Sequence, residues 1–219
     1  MPLRIISRLF VSLAAVCLSV LFFAACGREN AKDHLQKGNA AYKLKNYETA
    51  VKHYKKAAEQ GDAMAQNMLA LCYDTGEGVK QDYVMAANWY RNAAEQGNAS
   101  AQLNLGACYA DGHGVGQDYA EAVKWYRKAA DQNLAEAQLH LGSCYLYGAG
   151  VKKDEKQAVK LFQMSANQSN AMAQLVLGNC YYNGWGVKKN NAEAVKWYRK
   201  AAEQGNELAI EALKRLGAE

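Results

Sequence analysis

Six cysteines and four histidines are the side chains of this 219-residue sequence best equipped for chemistry. Their spacing decides which chemistry is open to them. Cys72, Cys108, Cys144 and Cys180 recur every 36 residues, each followed by a tyrosine, whereas Cys17 and Cys26 lie in an apolar N-terminal stretch. A constant spacing of this kind puts the four at equivalent points of stacked units. Such points lie one helix-packing distance apart for each helix crossed, roughly 8 to 10 Å, beyond the ~7 Å between Cα atoms that a disulfide tolerates. Buried free thiols are therefore expected, with cross-linking or metal binding as the alternative. His34, His53, His113 and His140 occupy unrelated slots, which suits solvated or internally satisfied histidines better than metal ligands. No serine begins Ser-x-x-Lys, and Gly-x-Ser-x-Gly, His-Glu-x-x-His and Cys-x-x-Cys are all missing from the sequence. Gly112-x-Gly114-x-Gly116 resembles a phosphate loop only until its three counterparts are noticed, all of which read as turns. The expectation is a protein that is not an enzyme, with no catalytic residue, no cofactor, no metal and no small-molecule substrate.

The elements that carry these residues follow from composition. Ala, Leu, Glu, Lys and Gln dominate, and the single proline is Pro2, so the chain is expected to be all-α with glycine as its punctuation. The formal charge is +5, of which Arg4 and Arg8 account for two, leaving +3 on the remainder. That balance, spread singly or in pairs among carboxylates, does not suggest a nucleic-acid partner.

Residues 1–25 read as an export signal: two arginines, an apolar run from Leu9 to Ala25, then small residues. Phe23-Ala24-Ala25-Cys26 followed by Gly27 resembles the lipobox of bacterial lipoproteins, with Phe23 where leucine is usual. The resemblance implies cleavage before Cys26, lipid on that cysteine, and a short tether over 26–30. Gly27 is not the aspartate that signals inner-membrane retention in many Gram-negative species. The expected location is the periplasmic side of the cell envelope, outer membrane more readily than inner. An uncleaved membrane helix over the same apolar run is the alternative.

From Ala63 onward four stretches of 36 residues superpose without a gap: 63–98, 99–134, 135–170 and 171–206. Ala65/101/137/173, Leu69/105/141/177 and the four cysteines coincide, as do the Gly-x-Gly-Val motifs at 76–79, 112–115, 148–151 and 184–187. Trp89-Tyr90, Trp125-Tyr126, Leu161-Phe162 and Trp197-Tyr198 follow in the second half of each stretch. The pattern LGxCYxxGxGVxxDxxxAxxWYxxAAxxG, as in Leu105 to Asp131, resembles the Sel1-like repeat. Residues 31–62 resemble a tetratricopeptide unit without the Gly-x-Gly-Val loop, and 207–219 read as a capping helix. The resemblance implies a right-handed α/α solenoid of stacked helix pairs. Some Sel1-like proteins are stapled by two cysteines per unit; one per repeat here does not imply stapling.

Spacing also fixes details. Ala65, Leu69 and Tyr73 share one face of the first helix of the pair, and Ala86, Tyr90 and Ala93 one face of the second. Small residues at 65, 70, 101, 106, 142 and 178 are expected to let helix backbones approach. Asp82, Asp118, Asp154 and Asn190 suit an N-cap, with Glu121, Gln157 and Glu193 completing a capping box. Gly61, Gly97 and Gly205 suit a left-handed residue after a helix; Asn133 and Ser169 stand in for glycine at the other two junctions, and Ser169 marks the looser one.

In solenoids of this type the first helices line the concave surface, so the positions there that vary between repeats are the candidate partner contacts. Spaced 4, 3 and 4 residues, they lie on one helix face. Met64, Met68 and Leu71, Asn104 and Asp111, Glu136, His140 and Tyr147, and Met172, Asn179 and Asn183 form this set. Trp185 joins them because its loop slot otherwise holds Glu77, His113 and Ala149; folding of its ring onto the next repeat is the alternative. The function expected is a membrane-tethered protein–protein interaction scaffold or adaptor, its partner an unidentified envelope protein or peptide. Two alternatives are a subunit of an export or polysaccharide-secretion assembly and, since cysteine-rich relatives are linked to penicillin binding, an envelope hydrolase of the β-lactamase type.

Overall fold

The computed structural model describes residues 30–218, which are all-helical. The signal sequence, Cys26 and Gly27 lie outside these residues. Eleven helices follow one another: α1 (Ala31–Lys43), α2 (Tyr47–Glu59), α3 (Ala63–Thr75), α4 (Tyr83–Glu95), α5 (Ala99–Asp111), α6 (Tyr119–Asp131), α7 (Ala135–Tyr147), α8 (Glu155–Asn167), α9 (Ala171–Asn183), α10 (Asn191–Glu203) and α11 (Glu207–Arg215). Odd-numbered helices are the A helices of successive pairs and even-numbered ones the B helices, with α11 packed on the last pair. Each packs chiefly against its chain neighbours, which makes a right-handed α/α solenoid. No described helix is long and apolar enough to cross a membrane.

Every A helix from α3 to α9 ends in a left-handed glycine: Gly76, Gly112, Gly148 and Gly184, at φ between 74° and 82°. The second glycine of each loop has a different task. A Cβ on Gly78 would strike the Tyr47 backbone, and Gly114, Gly150 and Gly186 meet the backbones of Tyr83, Tyr119 and Glu155 in the same way. Each A–B loop therefore rests on the start of the B helix one repeat earlier, a contact only glycine permits. The unit 31–62 has no such loop, and no described B helix precedes it for a loop to rest on.

The N-caps are as expected: Asp82, Asp118, Asp154 and Asn190 accept from the backbone N–H groups of Met85, Glu121, Gln157 and Glu193 at 2.9 to 3.1 Å. The capping box is not completed. The backbone N–H groups of these four residues donate instead to the carbonyls of Tyr73, Tyr109, Tyr145 and Tyr181, tying the loop to its own A helix. Glu121 and Glu193 are left to pair with Lys124 and Lys196. Among the small A-helix residues, Gly106 sits close to the α6 backbone, where a Cβ would come within 3.3 Å of the Ala122 carbonyl oxygen, but the tighter limit is aromatic. What lies closest to Gly106, Gly142 and Gly178 is a ring rather than a neighbouring backbone: a Cβ there would come within 2.5 to 2.6 Å of Tyr126, Phe162 and Tyr198. Asn133 and Ser169 do take the left-handed conformation, both at φ 64°.

The core is a chain of linked clusters, each shared between neighbouring pairs. Tyr54, Tyr90 and Phe162 are almost fully buried, together with Leu69, Leu105 and Leu177. The four repeat cysteines are buried free thiols. Burial pushes Cys72 up to about 11, and Cys108 and Cys180 up to about 12, so at neutral pH they are packing atoms rather than nucleophiles.

Candidate functional site

The variable A-helix residues come together on one exposed face, but they do not all serve it equally. Met64, Asp111, Glu136, His140, Tyr147, Met172, Asn183 and Trp185 are exposed, and Met68, Leu71, Asn104 and Asn179 half-buried. Met64 is 53% exposed, Met172 45% and Tyr147 75%. Large apolar side chains are exposed elsewhere too, at Leu44, Val84, Met164 and Leu208, so what marks this face as a candidate is that its exposed residues occupy the positions that vary between repeats. Met68 turns inward instead, packing on the cluster that includes Tyr54 and Leu69; the first unit covers it in part.

Two of the half-buried residues are tied into the fold. The Tyr198 hydroxyl donates to Asn179 Oδ1 at 2.8 Å, and Asn104 Nδ2 donates to Asn67 Oδ1 at 3.4 Å between successive A helices. The first bond recurs at the far end of the solenoid, where the Tyr54 hydroxyl donates to Asn39 at 3.0 Å. In between, the slot of Asn39 and Asn179 holds Leu71, Ala107 and Ser143. Tyr90, opposite Leu71, finds no asparagine there: its buried hydroxyl lies beside the Asp74 carboxyl without a well-formed hydrogen bond among the described residues. Its ionisation is pushed far up by burial and then by the nearby Asp74 carboxyl. Phe162, opposite Ser143, has no hydroxyl to satisfy.

Two parts of the face have the shape of a site. In the middle, His140 stacks on Tyr126 with ring centroids 5.2 Å apart. Desolvation lowers its pKa, while the Glu136 and Asp111 carboxylates pull it the other way. Glu136 lies one turn from His140 on α7, and Asp111, at the C-terminal end of α5, acts on it from farther away. At the C-terminal end, α9, the loop after it and α11 enclose a cavity of about 380 Å³ lined by Asn179, Asn183 and Trp185 with Leu175, Tyr182, Tyr198, Leu208 and Arg215. Three of the residues singled out in the sequence meet there, and Trp185 stays 38% exposed at its edge. The counterparts of Trp185 are absorbed locally: Glu77 accepts from the Tyr42 hydroxyl at 2.5 Å, and His113 stacks on Tyr83 at 4.6 Å. Nothing in either region resembles a catalytic constellation, and no group of three or more His, Cys, Asp or Glu that could hold a metal occurs among the described residues.

Sequence reasoning passed over the residues that join the repeats. Gln66, Gln102, Gln138 and Gln174 are buried polar side chains. Each accepts a bond of 2.7 to 2.9 Å from the glutamine that ends its own B helix: Gln96, Gln132, Gln168 and Gln204. Gln66, Gln102 and Gln174 also donate to Ala58, Ala94 and Ala166 carbonyls of the preceding B helix. One amide thereby holds three helices. The signal was present, since both glutamines recur every 36 residues; the pairing was not. His34 and His53 are likewise brought together, their Nδ1 atoms 3.1 Å apart across α1 and α2.

The Sel1 repeat family model matches residues 31–62, 63–98, 99–134, 135–170 and 171–206. The first unit, which resembles a tetratricopeptide unit in sequence, is thus matched alongside the other four. No curated protein sequence is matched. Among solved structures, the chain is similar to a Sel1 repeat protein from Oxalobacter formigenes, with 36% identity, a TM-score of 0.76 and coverage of 80% of this chain and 71% of that one. It is similar also to c5321, a protective antigen of uropathogenic Escherichia coli with an SLR fold, at 34% identity and a TM-score of 0.74; 81% of this chain is covered but only 40% of the antigen. A more distant likeness is to the immunity protein PA5088 from Pseudomonas aeruginosa, at 26% identity and a TM-score of 0.54, covering 83% and 72%. Proteins built from this repeat are generally non-catalytic scaffolds for protein–protein interaction. With five units matched end to end and their junctions formed by the repeat's own glycines and glutamines, the chain belongs to the Sel1 repeat family.

Proposed function

We propose that the protein is a membrane-tethered scaffold or adaptor of the bacterial cell envelope that binds a peptide or protein along its A-helix face and is not an enzyme. One observation carries the reading: large apolar and aromatic side chains, Met64, Tyr147, Met172 and Trp185, stand exposed on a face whose backbone repeats with little change. Rigid shape with variable side chains is how helical repeats select a partner. The protective antigen and the immunity protein to which the chain is similar are compatible with an interaction role, and that role comes here by likeness alone. Lipid on Cys26 would hold the scaffold at the periplasmic face, since each buried methylene contributes about 0.8 kcal/mol.

The test is photocrosslinking in live cells from residues 140, 179 and 185, with captured proteins identified by mass spectrometry. A partner captured from 140 and 179 supports the face as drawn. Capture from 185 alone would move the site to the C-terminal cavity. Metabolic labelling with a palmitate analogue, lost in Cys26→Ser, tests the tether, and hydrolysis of nitrocefin by pure protein would overturn the non-enzymatic reading.

A further inference from the structure

The A and B helices of the four 36-residue repeats differ in charge, although α1 of the first unit carries Lys32, Lys37 and Lys43. Helices α3, α5, α7 and α9 contain no lysine or arginine; their only charged residues are Asp74, Asp111 and Glu136. The B helices carry the cations. Lys52, Lys55 and Lys56 lie on α2, Lys124, Arg127 and Lys128 on α6, and Lys196, Arg199 and Lys200 on α10. Several carboxylates of the B side are paired in place, Glu121 by Lys124 at 2.5 Å, Glu193 by Lys196 at 2.6 Å and Glu155 by Lys153 at 2.8 Å, and the others, Glu48, Glu95, Asp131 and Glu203 among them, share their helices with lysine or arginine. Asp111 and Glu136 have no ion pair among the described residues, although both are exposed.

A partner that covers this face removes water from Asp111 and Glu136. A neutral or acidic partner would leave two carboxylates desolvated without a counter-charge, which disfavours binding. A cationic one pairs them. Met172 and Trp185, exposed apolar side chains of the same face, accept the uncharged residues of the same segment. On the reading that the A-helix face binds a peptide, we infer that its occupant is a basic amphipathic segment, with lysine or arginine seated against Asp111 and Glu136 and apolar side chains against Met172 and Trp185.

The experiment uses the full chain in nanodiscs of zwitterionic lipid and three fluorescein-labelled 12-residue peptides of leucine and serine. These differ only in carrying four lysines, four glutamines or four glutamates. Fluorescence anisotropy is expected to show binding of the lysine peptide, weakened at least about tenfold in Asp111→Asn/Glu136→Gln and again by 0.5 M salt. Glu95→Gln/Glu203→Gln, on the B side, should leave it unchanged, and Asp111→Lys/Glu136→Lys should transfer preference to the glutamate peptide. Equal binding of all three peptides, or lysine-peptide binding that Asp111→Asn/Glu136→Gln leaves intact, overturns the inference. So does self-association of the chain abolished by that pair, which would put the B helices of a second copy in the groove. The face itself is judged separately: crosslinks from 140 and 179 to a partner without a basic segment would keep the binding face and refute its charge preference.

Discussion

A hydroxyl at one end of the solenoid and one at the other are satisfied in the same way, and the hydroxyl near the middle is not. Tyr198 and Tyr54 each donate to an asparagine on the paired A helix, whereas Tyr90 faces Leu71 and has only the nearby Asp74 carboxyl, without a well-formed hydrogen bond. A hydrogen bond lost with one partner left behind costs about 1 kcal/mol, while removal of a group that makes no well-formed bond costs little. Tyr198→Phe is accordingly expected to lower stability by about 1 kcal/mol, and Tyr90→Phe to leave it within about 0.5 kcal/mol or raise it. Urea unfolding midpoints followed by circular dichroism compare the two; an equal loss in both would show that the hydroxyls are not what distinguishes them. Leu71→Asn adds a third arm, since it should stabilise the chain carrying Tyr90 and not the Tyr90→Phe variant. Asn179 also shows how far residue-level reading reaches. It varies between repeats like a contact residue, and it does line the C-terminal cavity. Its oxygen nevertheless belongs to Tyr198. Variation alone does not separate a residue that meets a partner from one that answers a ring in its own repeat.

At the scale of the element, the same left-handed backbone is required for two reasons, and substitution tells them apart. Gly97 and Gly114 both have positive φ, yet a Cβ on Gly97 meets open space and one on Gly114 meets the Tyr83 backbone. Gly97→Ala should cost about 1 to 2 kcal/mol, the conformational penalty alone. Gly114→Ala should cost more, at least about 3 kcal/mol, because a steric clash with backbone adds to it. The check is the difference in melting temperature between the two variants, and parity would mean the loop does not bear on the earlier helix. Ser169 holds a left-handed φ of 64° without being glycine. Ser169→Gly should relieve about 1 to 2 kcal/mol of strain against glycine's extra freedom when unfolded, for a net gain of up to about 1 kcal/mol. Thermal unfolding measures it; a fall in stability would show that the serine side chain contributes something else. Helix starts, helix ends and the left-handed junctions were legible because each depends on a few adjacent residues. The capping box was misread for the same reason: the group that takes the N–H of Asp118 is the carbonyl of Tyr109, nine residues earlier in the chain. Local patterns do not announce partners set by the path of a loop.

For the molecule as a whole, the 36-residue period made the solenoid legible, since a periodic apolar face has to be buried on the next copy of itself. The glutamine ladder was not legible, because which amides meet depends on how three helices converge. Its weight can be measured: Gln102→Met removes the acceptor for Gln132 and the donor for the Ala94 carbonyl. A loss of about 1 to 3 kcal/mol is expected, and because adjacent repeats couple to one another, amide hydrogen exchange should quicken on both sides of that junction and not at the far end. Uniform quickening would mean the array opens as one unit.

The loop glycines give this arrangement a direction. Gly78, Gly114, Gly150 and Gly186 each bear on the B helix of the repeat before, never the one after. A repeat is therefore finished only when its successor exists. Whether the chain emerges from a ribosome or across a membrane, N-terminus first, the successor follows later, so the N-terminal end of the protein is secured first and each new stretch of chain fastens what has already been made. Release of the chain at any point leaves at most one repeat unfastened, and that last position is filled here by α11, which packs on the final pair and needs no loop of its own.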